Sequence, residues 1–330
     1  MRILVAGADE GTRAAFDAAF PGEAAYVDRL DADCIAAHHD AEVVSLFIRN
    51  EFKKPEIDAF PNLKLIATRS TGFDHIDVAY AKERGIVVST VPKYGSHTVA
   101  EFAFALLLSL SRKVVTANGR VRESNFSTDT LEGFDLFGKT IGVIGTGAIG
   151  KNSVAIAQGF GMRVLMSDPF PAASLENDRA RYVPLDELLR ESDIITLHAP
   201  YTKDNHHLLG VEAFAKMKRG VLVINTARGE LIDTQALVEA LQNGVVAGAG
   251  LDVIEGERDL DRELELMASG APMKDPGAVV RDHVLIQMPN VIVTPHLAFF
   301  SKESFAEILA VTCDNIRHFT AGNPANVVTV

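Results

Sequence analysis

The chain has 330 residues, 47% of them hydrophobic, so it can form about two domains with sizeable cores. Its net charge of −12 argues against a nucleic-acid partner, because phosphate binding requires a basic patch. Cys34 and Cys313 match neither a disulfide framework nor a metal-ligand spacing, which is typical of a cytoplasmic protein. The chain opens with a strand-like MRILVAG instead of a signal peptide, and its most apolar run, Val99 to Leu110, is too short to cross a membrane. We therefore expect no membrane partner.

The first hundred residues predict one small α/β unit. Its predicted strands alternate with helical segments, which indicates a parallel sheet covered on both faces. Gly7 and Gly11 resemble a nucleotide-binding loop, but no correctly spaced acid follows them, so we interpret them as the first turn of a doubly wound sheet. The predicted strands are residues 3–6, 43–48, 65–68 and 87–89.

Residues 98–115 predict one long helix. Apolar side chains recur there at helical spacing on nearly all sides, so we expect a helix buried between two domains. Residues 119–138 are polar and predict an irregular segment.

A dinucleotide-binding motif follows at Thr140–Gly150, TIGVIGTGAIG. An apolar strand leads into G-x-G-x-x-G, and a helix-forming segment comes directly after it. Gly145 would allow the tight turn, Gly147 would let the backbone approach a pyrophosphate, and Gly150 would let the helix pack closely. The helix N-terminus would then offer N–H groups and a positive dipole to the phosphates.

Asp168 ends the next strand, eighteen residues after Gly150. A carboxylate at this position can accept both ribose hydroxyls of an adenosine and repels a 2′-phosphate, so we predict NAD as the cofactor. The alternative is a glycine turn in some other α/β protein. Strand, helix, second strand and terminal acid together favour the NAD site.

The strands of this second unit end in polar or small residues, which should meet at the carboxyl edge of the sheet. Residues 255–289 form a long stretch without strand periodicity, which is either a lid or an interface element. A helix over 302–319 should return to the first unit. We therefore predict two doubly wound parallel-sheet domains, a flavodoxin-like catalytic domain of residues 1–99 and 298–330 and an inserted Rossmann NAD-binding domain of residues 100–297. The predicted strands of the second unit are residues 163–167, 194–198, 221–225, 247–251 and 291–294.

Three side chains at these strand ends suit hydride transfer to a 2-oxo acid. The forked guanidinium of Arg228 matches a planar carboxylate, and His296 can supply a proton to the developing alkoxide. Glu257 or Glu255 could pair with the imidazole and keep it protonated. The alternatives are a salt bridge at a helix start for Arg228, a capping or core histidine for His296, and a solvated loop charge for either glutamate.

Several segments match the motifs of a known family in the same order along the chain: Thr68–Asp77, Gly145–Gly150 with Asp168, Leu197–Pro200, Asn225–Gly229, Gly250–Val253 and Thr294–His296. With these segments the sequence resembles the D-isomer-specific 2-hydroxyacid dehydrogenases over nearly its whole length. Val91–Ser96, Glu255–Glu257, the insertion before Pro289 and Ala298–Phe300 make it most similar to the D-lactate dehydrogenase branch of that family.

The resemblance implies roles for individual residues. Arg228 orients the substrate, His296 is the acid/base, and Glu257 is its partner, because the family's acid lies five residues after the aspartate of Leu-Asp-Val. The amides of Thr71 and Gly72 grip the substrate carboxylate. Tyr94 either contacts the substrate or shields the hinge as a linker residue. Further substrate contacts are expected from Phe47 and Phe300, and cofactor contacts from Gly145, Gly147, Ala148, Ile149, Gly150, Asp168, Ala199, Pro200, Asn205, Thr226, Ala227, Arg228, Asp252, His296 and Ala298.

No metal is predicted. His206 and His207 look like a ligand pair, but adjacent residues do not share a helical face, and His38–His39 meets the same objection. The sequence has no HExxH, paired CxxC or EF-hand loop.

We therefore expect a cytoplasmic NAD-dependent dehydrogenase that reduces pyruvate to D-lactate, with a small 2-oxo or 2-hydroxy acid as its partner. By the resemblance it is a homodimer. Phe47 lacks a phenolic hydroxyl, so bulkier acids such as 2-oxoisocaproate or phenylpyruvate stay open. A glycerate-type substrate is a further alternative within the enzyme class. A non-catalytic NAD(H) sensor is the alternative from another class.

Overall fold

The computed structural model describes residues 1–48, 50–257, 260, 263, 267 and 275–329. The chain forms two compact units: unit 1 is Met1–Tyr94 with Phe300–Val330, and unit 2 is Gly95–Phe299. Unit 1 is thus built from both ends of the chain. In chain order the described strands are β1 (Ile3–Ala6), β2 (Ala24–Val27), β3 (Val43–Leu46), β4 (Leu65–Thr68), β5 (Val87–Ser89), β6 (Thr140–Ile144), β7 (Arg163–Ser167), β8 (Ala180–Tyr182), β9 (Ile194–Leu197), β10 (Val221–Asn225), β11 (Val246–Leu251) and β12 (Val291–Val293). The described α-helices are α1 (Glu10–Ala19), α2 (Ala32–Ala37), α3 (Lys54–Asp58), α4 (Val78–Glu83), α5 (Ser96–Ser111), α6 (Val114–Arg122), α7 (Ala148–Gly159), α8 (Leu185–Glu191), α9 (Val211–Lys216), α10 (Thr234–Gln242), α11 (Pro276–Ile286) and α12 (Lys302–Thr320).

Unit 1 contains a parallel sheet with the strand order β2-β1-β3-β4-β5. Strands β1, β3 and β4 are buried along their whole length, and their short apolar runs are what a strand covered on both faces requires. On one face the sheet packs against α1 and α12, where Phe16 and Ile316 are fully buried. The order is that of a flavodoxin-like doubly wound sheet.

Unit 2 contains a parallel sheet with the strand order β12-β11-β10-β9-β6-β7-β8. Strand β6 lies inside this sheet, with Ile144 beside Leu197 of β9 on one side and Ser167 of β7 on the other. The order therefore reverses at β6, and the loops after these three strands begin side by side. In an open α/β sheet such a switch point is where a ligand binds. The predicted α/β fold with two parallel sheets is confirmed.

Two edge strands escape sequence prediction. In β2 the residues AAYV are only partly buried, and β8 is the three-residue segment ARY with an exposed arginine. Edge strands need no continuous apolar run, because only one side is paired and the faces are less covered. Both segments therefore lack the signal that marks the central strands.

The helix predicted over residues 98–115 is two helices. Helix α5 ends at Ser111, and Lys113 adopts a left-handed conformation with φ 51° before α6 begins. A non-glycine residue in this region breaks the run of helical dihedral angles. Helix α6 then continues through residues 119–122, which the sequence predicts as irregular. Among the described residues, no helix combines the length and apolarity needed to cross a membrane.

Candidate active site

The glycine loop of unit 2 joins β6 to α7. Gly145 has φ 87°, and a Cβ atom there would lie 2.6 Å from the Ala199 nitrogen, so a side chain would collide with the loop after β9. A Cβ atom on Gly150 would collide with the carbonyl oxygen of Gly145, whereas one on Gly147 would meet nothing within 4 Å. The first and third glycines thus permit close packing, and the second leaves open space.

The residues around this loop fit a dinucleotide. Gly147 is the N-cap of α7 and has no side chain to cap it, so the first N–H groups of the helix remain for a phosphate. Gly147 and Ala148 are exposed and Ile149 is half-buried. After β10, the Thr226 hydroxyl is buried with no hydrogen-bond partner among the described residues. The open loop after β6 and the orphaned hydroxyl after β10 lie at the same edge of one parallel sheet, where a bound ligand would complete them.

Asp168 is fixed against the glycine loop. Its Oδ2 accepts from the Thr146 N–H at 2.6 Å and from the Thr146 hydroxyl at 3.1 Å, and its Oδ1 accepts from the Phe170 N–H at 2.8 Å. Burial raises the pKa of Asp168, but these three donors outweigh it and hold that pKa below its ordinary value. Asp168 is therefore a positioned anion beside the loop.

His198 lies directly behind the glycine loop, at the end of β9. Its Nε2 lies 2.9 Å from the Ser153 Oγ and 3.1 Å from the Thr196 Oγ1, and its Nδ1 is buried without a partner among the described residues. Burial lowers the pKa of His198 to about 4. The imidazole is therefore neutral at pH 7.

This burial makes the stability of the protein depend on pH. Between about pH 6.5 and pH 4 the unfolded chain binds a proton at His198 that the folded chain does not, so stability falls as pH falls through that range, by about 3 kcal/mol. In His198→Gln this contribution should be absent. The free energy of unfolding of both proteins, measured in urea from pH 7.5 to 4.5, tests this prediction. If the two free energies changed with pH by the same amount, the assignment would be contradicted.

The turn after β10 projects Arg228. The Asn225 side chain accepts from the Ala227 N–H at 3.0 Å and donates to the Arg228 carbonyl at 2.8 Å, which fixes the turn from within. The Arg228 side chain is half-buried, and its Nη1 donates to the Ala227 carbonyl at 2.7 Å. Asn225 is a supporting residue that the sequence did not single out.

The predicted cofactor residues after β9 shape their own turn. Ala199 is half-buried and Pro200 is exposed. The Asn205 amide donates to the Pro200 carbonyl at 2.8 Å and accepts from the Thr202 N–H at 2.7 Å. Asn205 therefore holds the turn on which Pro200 lies.

His296 and Glu257 form a pair. The imidazole Nδ1 lies 2.9 Å from Glu257 Oε1, which leaves Nε2 as the ring atom that can face a substrate. His296 has φ 52°, an unusual conformation for a residue other than glycine, and its N–H donates to the carbonyls of Asp252 and Thr294. The structure thus pairs Glu257 with His296, whereas Glu255 pairs with His207.

The Asp252 carboxylate holds the turn that carries His296. It accepts from the Thr294 hydroxyl at 2.6 Å and from the N–H groups of Leu297 and Ala298 at 2.9 and 2.8 Å. Burial raises the pKa of Asp252 even though these donors and the neighbouring His296 lower it. With 1% exposure, Asp252 acts here as a support for the histidine.

A second histidine cluster lies in the loop between β9 and α9. The rings of His206 and His207 stack with centroids 3.8 Å apart, and His207 Nε2 lies 2.8 Å from Glu255 Oε1. The potential ligand atoms of these three residues lie within 4.8 Å of one another. The two histidines lie in a loop where His207 has φ 53°, so the spacing of residues on a helical face does not keep their rings apart, contrary to the prediction from the sequence.

We nevertheless expect activity without a metal. His207 is already paired with Glu255 and lies 3.8 Å from Asp233, so its imidazole stabilises the loop without an ion. Dialysis against EDTA should therefore leave the rate of 2-oxo acid reduction unchanged. Loss of activity that zinc or another divalent ion restores would contradict this.

In unit 1, the loop after β4 exposes two predicted substrate-binding amides. The Thr71 hydroxyl donates to the Val91 carbonyl at 2.7 Å, and the Ser70 hydroxyl donates to the Gly72 carbonyl at 2.6 Å. Among the described residues, neither the Thr71 nor the Gly72 N–H donates within the protein. The loop is thus held by side chains while both amides remain for a ligand.

The predicted aromatic substrate contacts also belong to unit 1. Phe47 directly follows β3 and is half-buried. Tyr94 is also half-buried and is the last residue of the N-terminal part of unit 1. Phe300 is 59% exposed and packs edge-on against Phe305, with centroids 5.3 Å apart. Phe47 and Tyr94 thus lie on the loops that follow parallel strands.

The chain matches known proteins along most of its length. Residues 104–298 match the model of the family D-isomer specific 2-hydroxyacid dehydrogenase, NAD binding domain. The D-lactate dehydrogenase of Escherichia coli is 40% identical over 286 residues, which cover 85% of this chain and 84% of that protein. An aromatic 2-oxoacid reductase of Clostridium sporogenes is 42% identical over 265 residues, which cover 78% and 76%.

A solved structure agrees with these relatives. The D-lactate dehydrogenase from Aquifex aeolicus, complexed with NAD and lactic acid, has 36% identity and a TM-score of 0.88, over 98% of this chain and 96% of that one. The cofactor is NAD. The chain belongs to the D-isomer-specific 2-hydroxyacid dehydrogenase family, as an NAD-dependent oxidoreductase of the CH–OH group of small 2-hydroxy acids.

Proposed function

We propose that the protein is a D-lactate dehydrogenase that reduces pyruvate with NADH. The observation that carries this proposal is the His296–Glu257 pair at 2.9 Å on a turn held by Asp252. The named relatives from Escherichia coli and Aquifex aeolicus support pyruvate and lactate as the substrate pair.

NADH, held at the glycine loop and Asp168, would supply a hydride for C2 of the oxo acid. Arg228 binds the substrate carboxylate and polarises the carbonyl through its forked donors. Protonated His296 gives its Nε2 proton to the developing alkoxide oxygen, so pyruvate, hydride and proton yield lactate. Glu257 accepts from Nδ1 and stabilises the imidazolium before the transfer.

Unit 1 supplies the proposed carboxylate site. The Thr71 and Gly72 amides make no hydrogen bond within the described part of the chain, and two backbone donors side by side suit a carboxylate. We propose Tyr94, Phe47 and Phe300 as the residues that contact the rest of the substrate.

A bulkier 2-oxo acid is the second candidate. Phe47 offers an apolar ring without a hydroxyl, and the Clostridium sporogenes relative is an aromatic 2-oxoacid reductase. NADH oxidation at 340 nm with pyruvate, 2-oxoisocaproate, phenylpyruvate and hydroxypyruvate separates the candidates. The highest kcat/KM for pyruvate supports the proposal, and a preference for phenylpyruvate would replace it. NADH binding without turnover of any 2-oxo acid would favour a non-catalytic sensor.

Glu257→Gln should move the pH optimum of pyruvate reduction downward. The amide can still accept a hydrogen bond, but it lacks the negative charge that stabilises imidazolium. Glu255→Gln is the matched control, because Glu255 makes the same kind of contact with His207 at 2.8 Å. A pH profile that is the same in Glu257→Gln and the native protein would remove Glu257 from the mechanism.

We also propose a cytoplasmic homodimer. Apolar side chains on α6 and just after it are exposed in the single chain, with Val114, Val115 and Val121 between 46% and 55% exposed and Phe126 at 78%. Several exposed apolar side chains within one short stretch of the chain are what a subunit interface would cover. Both cysteines are free thiols, as expected in a reducing compartment. Analytical ultracentrifugation tests the dimer.

A further inference from the structure

A tyrosine on the edge strand β8 is connected to Asp168, the carboxylate that is predicted to select NAD. The Tyr182 hydroxyl lies 2.8 Å from the Thr146 hydroxyl, which in turn lies 3.1 Å from Asp168 Oδ2. The Ala172 N–H donates to the Tyr182 oxygen at 3.0 Å. Four segments of unit 2 therefore meet in one hydrogen-bonded chain: β8, the glycine loop, the end of β7 and the loop that follows β7.

The chemistry of the groups fixes the direction of this chain. An ionised carboxylate only accepts hydrogen bonds, so the Thr146 hydroxyl must donate to Asp168. That hydroxyl has one proton, so it accepts from Tyr182, whose oxygen accepts in turn from the Ala172 N–H. Every hydroxyl proton in the chain points toward Asp168.

This series of hydrogen bonds restricts the positions that the Asp168 carboxylate can adopt. Thr146 contributes both its N–H and its hydroxyl to Oδ2, and Tyr182 fixes the rotamer of that hydroxyl. A carboxylate held in one place accepts from the ribose hydroxyls of NAD and repels the 2′-phosphate of NADP most effectively. A carboxylate that can rotate away discriminates less.

We propose that Tyr182 is a positioning residue for coenzyme selectivity, acting on Asp168 through the Thr146 hydroxyl. It need not touch the coenzyme. The ring is half-buried, so its hydroxyl is placed by packing on β8 as well as by the Ala172 N–H.

Tyr182→Phe tests this by isothermal titration of NADH and NADPH. Loss of one hydrogen bond in the chain should raise the Kd for NADH about threefold to tenfold, without a matching rise in the Kd for NADPH. The selectivity ratio therefore falls. Tyr80→Phe is the matched control, because the Tyr80 hydroxyl donates to the Asp58 carboxylate at 2.6 Å in unit 1. It should leave both Kd values unchanged.

A double-mutant cycle distinguishes positioning from general loosening. In a Thr146→Val background the hydroxyl that relays the contact is gone, so Tyr182→Phe should change the Kd ratio no further. Thr146→Ser keeps the hydroxyl and should keep the effect of Tyr182→Phe. Equal selectivity in Tyr182→Phe and the native protein, or purely additive effects with Thr146→Val, would overturn the proposal. Thermal unfolding confirms that each variant is folded, and these binding experiments do not depend on which 2-oxo acid is the substrate.

Discussion

His296→Asn should lower kcat for 2-oxo acid reduction about a thousandfold, while the Kd for NADH changes far less. Asparagine occupies similar space but cannot supply a proton to the alkoxide. In the native protein the imidazole contacts Glu257 at Nδ1 and lies on the turn that Asp252 holds, so Nε2 is the ring atom that remains for the proposed proton transfer. Stopped-flow measurement of a single turnover separates the chemical step from product release.

His283→Asn is the matched control. His283 Nε2 lies 2.8 Å from Glu263 Oε2, so this histidine also pairs with a glutamate, but it lies on α11 outside the proposed machinery. We expect the kcat of the His283→Asn variant to be close to that of the native protein. If His296→Asn kept more than a tenth of the native rate, His296 would not be the acid/base.

Asp282→Asn should stabilise the protein, and more at pH 8 than at pH 5. Asp282 is fully buried on α11, and neither carboxyl oxygen has a partner among the described residues. Burial raises its pKa to about 7, helped by the charges of Glu255, Glu257 and Asp275 and opposed by Arg281. Asparagine carries no charge at any pH and so avoids this penalty.

The direction in which stability changes with pH follows from the protons that the folded and unfolded chains bind. Between about pH 4 and pH 7 the folded chain holds a proton at Asp282 that the unfolded chain has released, so native stability falls as pH rises through that range. The advantage of Asp282→Asn should therefore grow by about 2 to 4 kcal/mol from pH 4 to pH 8. Urea unfolding at several pH values measures it, and a constant difference would contradict the assignment.

Asp275→Asn provides the control on the same helix. Asp275 is the exposed N-cap of α11, and the Ala278 N–H is the main cause that lowers its pKa. Its substitution should show no stabilisation that grows with pH, because an N-cap carboxylate is favourable in its ionised form.

The central sheet strands were predictable because each one is a short and mostly apolar run. Strand β6 shows this, since its five residues are all buried and it leads directly into the glycine loop. Strands β2 and β8 were not predictable, because edge strands are only partly covered. The break at Lys113 also left no mark in the sequence, since lysine is an ordinary helix residue and only its φ angle separates α5 from α6.

Within the site, residues that belong to local sequence motifs could be predicted, whereas hydrogen bonds between side chains that are distant in the sequence could not. The residues of the glycine loop and Asp168 could be named because their spacing reflects one local strand–helix–strand unit. The contact of Tyr182 with Thr146 spans 36 residues, and nothing local indicates it. The pairing of Glu255 with His207 was also not predictable from the sequence, because it depends on the loop conformation of His207.

The most direct test of the central claim is the stereochemistry of the product. Pyruvate and NADH are incubated with the protein, and the lactate formed is assayed with separate D- and L-specific reagents. We predict that D-lactate accounts for all of the NADH consumed. Formation of L-lactate, or of no lactate at all under conditions where NADH binds, would contradict the proposed D-lactate dehydrogenase activity.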